Sequence, residues 1–77
     1  MDDPAFLMEA MEARQAVEEA SDAGSLRSML NDNAAAQRGL EKELREAFAA
    51  GDMDAAKQLV WRLTYLVRLG EAIVDKL

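Results

Sequence analysis

Apolar residues along the chain recur at intervals of three and four and almost nowhere at intervals of two, so the pattern predicts helices and no strands. The third quarter of the chain leads into the clearest case. From about Met53 to the C-terminus, Ala56, Leu59, Leu63, Leu66, Gly70, Ile73 and Leu77 form one seam of a helix. Before it, Ala50-Gly51-Asp52-Met53 reads as a tight antiparallel turn, in which Gly51 takes the left-handed geometry that ends one helix and Asp52 caps the next. The helix that ends there carries Leu26, Leu30, Leu40, Leu44 and Phe48, and either Asp22 or Ser25, in the break Ser21-Asp22-Ala23-Gly24-Ser25, is placed to cap its start. A first helix should open at Asp2-Asp3-Pro4, where an aspartate can cap exposed amides and a proline forfeits no hydrogen bond, and should run to about Ala20. Three helices joined by short connections predict an all-α fold, a three-helix antiparallel bundle formed by residues 1–77 as a single domain.

A chain of 77 residues buries only about 60% of the surface its unfolded form exposes, so each apolar stripe counts. Projecting the first helix at about 100° per residue puts Phe6, Ala10, Ala13 and Val17 in one narrow sector, the expected core face. Leu7, Met8 and Met11 fall roughly 90° to 190° away from it, together with Gln15 and flanked by Glu12 and Arg14. Two readings follow. A bundle helix touches two neighbours, so a wide apolar arc can be wholly buried. Alternatively, Leu7, Met8 and Met11 form an exposed patch that receives a partner helix or an extended segment, with the charged neighbours setting its orientation.

The third helix has a similar surplus. Trp61 and Tyr65 lie one turn apart and project about 180° from the Leu63 seam, so both should face outward or sit at an edge. Their rings can lie flat against the bundle with wet polar tips, or Tyr65 can anchor an interface. Asn33 and Gln37 interrupt the leucine spacing of the second helix, where they set packing register or face solvent.

Composition narrows the chemistry. Cysteine and histidine are both absent, which excludes disulfides, thiolate and imidazole metal ligands, and the usual nucleophile pairs. The acidic groups Glu9, Glu12, Glu18, Glu19, Glu41, Glu43 and Glu46 read as solvated helix faces, Glu12 being notable only because it borders the Leu/Met patch. No catalytic residue, metal ligand or cofactor site is expected, and the chain reads as a binding module and not an enzyme. With 9 basic against 15 acidic side chains and a net charge of −6, neither nucleic acid nor a membrane surface is an expected partner. No run approaches the roughly 18 apolar residues of a membrane span, and no signal segment opens the chain.

The segment Phe6-Leu7-Met8-Glu9-Ala10-Met11-Glu12-Ala13-Arg14 resembles the F-L-M-E-x-[LM]-E-x-R opening of the C-terminal domain in HscB-type iron–sulfur co-chaperones. The pair Ala55-Ala56 and the run Val60-Trp61-Arg62-Leu63-Thr64-Tyr65-Leu66 look like the family's closing helix, while the middle helix is matched by pattern. The resemblance implies a domain that holds an IscU-type iron–sulfur scaffold protein, while a J-domain, whose His-Pro-Asp motif a chain without histidine lacks, acts on an Hsp70-type chaperone. It carries scaffold contact over to Leu7, Met8, Met11 and Glu12, with Arg14 beside them and Tyr65 on the closing helix. It also implies a location in the bacterial cytoplasm or the mitochondrial matrix. Two positions depart from the pattern: Gln15 stands where relatives often have an acidic residue, and Thr64 where a basic one is common. The alternative from a different class is a helical structural module that associates with itself.

Overall fold

The structure, a computed structural model, describes residues 4–77 and consists there of α1 (Pro4–Glu19), α2 (Ala23–Ala50) and α3 (Met53–Lys76). The expected cap at Asp2 or Asp3 lies outside the described residues; Pro4 is the first helical residue within them. Between α1 and α2 the choice of cap falls on Asp22. Its backbone is extended and its carboxylate accepts the Ser25 N–H at 2.8 Å, which satisfies one of the amides a helix start leaves without a partner.

The turn between α2 and α3 follows the expected chemistry. Gly51 has φ 73°, its N–H donates to the Phe48 carbonyl at 3.1 Å, and the Asp52 N–H donates to the Ala47 carbonyl at 2.9 Å. These are the paired bonds of a Schellman motif. The Asp52 carboxylate then accepts the Ala55 N–H at 3.1 Å and starts α3.

So tight a turn folds α3 back along α2. The 43 Å long axis of the molecule is the length of the 28-residue α2 at about 1.5 Å per residue. The shorter α1 lies beside the C-terminal half of α3 and runs in the same direction, since Tyr65 reaches Ala10 whereas Lys76 reaches Val17 and Ala20. The main core sits where all three helices overlap. Val17, Leu26, Leu69 and Ile73 are buried there, with Ala13, Ala20, Met29, Leu30 and Tyr65 packed around them. Toward the turn the hairpin continues alone, closed by the small buried residues Ala47 and Ala56.

The seam expected on α3 differs in two respects. Leu69 is buried although it lies off that seam, and Leu77 on the seam is exposed. Phe48, counted among the apolar residues of α2, is exposed as well. The physical reason is that α3 serves two neighbours. Leu66 and Gly70 meet Asn33 of α2, while Tyr65, Leu69 and Ile73, spaced four apart, form a second row toward α1. Beyond the start of α1, no described helix covers Phe48.

Candidate docking surface

On α1 the inward sector falls where the projection puts it. Val17 is buried, and Phe6, Ala10 and Ala13 are half-buried. Of the two readings of the remaining apolar arc, exposure is the one realised: Leu7, Met8 and Met11 are 46%, 62% and 72% exposed. Glu12 and Arg14 are exposed on the same helix. A side chain about two-thirds exposed gains little from folding, so the bundle gives no account of why Met8 and Met11 are apolar and only a partial one for Leu7.

Alanine dominates the inward face of α1, which therefore brings little apolar area to the core. What sets the helix in place is a series of contacts from α3. The Tyr65 ring meets Phe6 edge-on, with centroids 5.6 Å apart and planes at 84°, a favourable arrangement for two ring quadrupoles. The Tyr65 hydroxyl donates to the Ala10 carbonyl. The guanidinium of Arg62 lies over the other partner, Phe6, at 5.1 Å from the ring centroid. Burial pushes the Tyr65 phenol above its ordinary value, and the positive charge of Arg14 partly offsets this.

The site residues thus divide into two sets. Leu7, Met8, Met11, Glu12 and Arg14 share one exposed helix. Tyr65, half-buried, stands at the edge between α1 and α3 with its hydroxyl turned inward, so only part of its ring is open to a partner. Beside it on α3, Val60, Trp61, Thr64 and Arg68 line a shallow open groove with Tyr65 as one wall. Trp61 is 53% exposed. Thr64 spends its hydroxyl on the Val60 carbonyl of its own helix at 2.8 Å. Sequence reasoning missed the ring contact of Arg62 and the role of Lys76, whose ammonium reaches the end of α1. The one available signal was negative: α1 has no basic residue in its last turn and no glycine at its end.

Among the described residues no group of three acidic side chains is placed to hold a metal ion. No helix of the described residues is long and apolar enough to cross a membrane.

Residues 2–74 match the family described as the HSCB C-terminal oligomerisation domain. The chain belongs to this family. It is also 36% identical over 75 residues to a protein of Arabidopsis thaliana named iron–sulfur cluster co-chaperone protein HscB homolog. That match covers 97% of this chain and 30% of the relative, so the chain spans less than a third of the relative's length. No solved structure matches. Membership of the HscB C-terminal family agrees with the resemblance carried by the Phe6–Arg14 segment and by the closing helix. The same segment forms α1, with the Leu/Met patch on its outer side.

Proposed function

We propose that this domain is the protein-docking part of an HscB-type co-chaperone of iron–sulfur cluster assembly, and that it holds an IscU-type scaffold protein for an Hsp70-type chaperone. The observation that carries this reading is the exposure of Leu7, Met8 and Met11 on a helix whose opposite face is packed. In this reading the three side chains bury apolar area against the scaffold. At about 25 cal/mol per Å2 they supply a few kcal/mol before the cost of ordering both surfaces, which gives modest and reversible affinity. Glu12 and Arg14 flank the patch with opposite charges, and contribute orientation and on-rate more than strength. Tyr65 offers the open part of its ring at the border. With no cysteine or histidine in the chain, the domain touches the scaffold's protein surface and leaves the cluster to the scaffold's own ligands. The expected site of action is the bacterial cytoplasm or the mitochondrial matrix.

Calorimetric titration with the scaffold, beside a variant carrying Leu7→Ala, Met8→Ala and Met11→Ala, tests the reading. Saturable binding that the variant loses supports it, and equal binding by both proteins overturns it. A second reading, self-association, has its own observation. Phe48, Met53, Val60 and Trp61 are all about half exposed and line one groove near the α2–α3 turn. Sedimentation that depends on concentration, and that Trp61→Ala abolishes, would favour it.

A further inference from the structure

The last turn of a helix leaves carbonyls without intrahelical donors, and the usual remedies are a left-handed glycine, a basic side chain in that turn, or water. α1 has neither of the first two. Its carbonyls are instead met from another helix. The ammonium of Lys76, in the last turn of α3, donates to the carbonyls of Val17 at 2.7 Å, Glu18 at 2.8 Å and Ala20 at 2.7 Å. A lysine ammonium has three N–H donors and no more, so its bonding capacity is fully used on this one helix end. The positive charge also lies at the negative pole of the α1 dipole.

This contact holds the C-terminal end of α1, opposite the end where Tyr65 and Arg62 engage Phe6. Tyr65 holds the backbone at Ala10, and Lys76 holds it at Val17–Ala20, roughly 10 to 15 Å further along the axis. A rigid helix held at two points has a defined direction and roll; held at one, it pivots. Apolar packing at that second point is thin, because Val17 is the one buried residue of α1 and its inward neighbours Ala13 and Ala20 are alanines. Leu7, Met8 and Met11 ride on the free side of this rod, so their placement depends on both tethers.

We infer that Lys76 is a positioning residue for docking: by capping α1 from α3 it sets the angle at which the Leu/Met patch is presented, and loss of its charge unlatches the docking helix. The inference rests on the reading that α1 is the docking surface. It requires neither that Lys76 touch the partner nor that the fold fail without it.

The test compares the 77-residue chain with Lys76→Met, which keeps the aliphatic stem, Lys76→Gln, which resembles an acetylated lysine, and Lys76→Arg. Amide hydrogen exchange is read without any partner, and calorimetric titration is run with an IscU-type scaffold. Exchange of the α1 amides is expected to speed up in the Met and Gln variants while the α2 and α3 amides keep their rates. Scaffold affinity should weaken about fivefold, as the competent orientation of α1 becomes a smaller fraction of the ensemble. Lys76→Arg, which keeps the charge, should restore most of both. Unchanged α1 exchange, or an equal rise in all three helices, would overturn the inference, as would α1-specific loosening with undiminished affinity. If the unaltered chain does not bind the scaffold, the docking reading falls by itself, and the exchange data still decide whether Lys76 sets α1.

Discussion

Asn33 and Gly70 face each other across the contact of α2 with α3, so closely that a Cβ added to Gly70 would lie 3.0 Å from the Asn33 Oδ1. Asn33 is buried, and both ends of its amide are engaged: Nδ2 donates to the Leu66 carbonyl at 2.8 Å and Oδ1 accepts from Gln37 Nε2 at 2.7 Å. It cannot yield without breaking a bond. A polar group satisfied in only one alignment of two helices specifies that alignment, which gives Asn33 and Gln37 the register role instead of a solvent-facing one.

Gly70→Ala and Gly39→Ala should therefore have opposite signs. Both glycines lie inside helices, where alanine is favoured by up to about 1 kcal/mol. At Gly39 nothing lies within 4 Å of the new methyl, so thermal or urea unfolding should show a gain of about 0.5 to 1 kcal/mol. At Gly70 the clash with Asn33 outweighs the propensity, and a net loss of about 1 to 2 kcal/mol is expected. Adding Asn33→Ala to Gly70→Ala should give a loss smaller than the sum of the single changes, since the clash is then gone.

Replacing Leu7, Met8 and Met11 together by alanine should lower the unfolding free energy by no more than about 1 to 2 kcal/mol, because Met8 and Met11 are already mostly in water and Leu7 nearly half so. The same substitutions should abolish scaffold binding. A large fall in melting temperature would place these side chains in the core and remove the patch from consideration.

Tyr65→Phe removes the hydroxyl that holds Ala10 and should cost about 1 kcal/mol. The effect also depends on pH. Burial favours the neutral phenol in the folded state, raising its pKa above the ordinary 10.0. Stability is intact below that value and is lost as pH rises through the folded-state pKa, because the unfolded chain ionises first. As Tyr65 is the single tyrosine of the chain, the absorbance of the ionised phenol follows it directly, and the Phe variant should lack this alkaline loss.

At the acidic end the Asp22 cap behaves in the reverse sense. The Ser25 N–H that it accepts holds its carboxyl below the ordinary 3.8. The cap's contribution is complete above that value and disappears as pH falls through the folded-state pKa. Exchange of the first α2 amides should accelerate in that window, and Asp22→Ala should show the faster rates already at neutral pH.

Periodicity determined the three helices and the inward sector of α1, and capping chemistry the turn at Gly51-Asp52, because each depends on residues within a turn or two of one another. It also set Leu7, Met8 and Met11 off from the core sector, which is a matter of angle along one helix. Whether that second face is covered is a question about neighbours, and only the packing of α1 on α3 answered it. The same holds for Tyr65, whose hydroxyl bonds to a residue 55 positions away, and for Lys76, whose partners lie 56 to 59 positions away. The α3 seam omits Leu69 for a related reason: a pattern read along one helix shows its strongest stripe, whereas a helix between two neighbours buries two. Local chemistry decided where the chain bends and which residues are apolar; tertiary contact decided which apolar residues stay in water, since exposure depends on what the rest of the chain places against them.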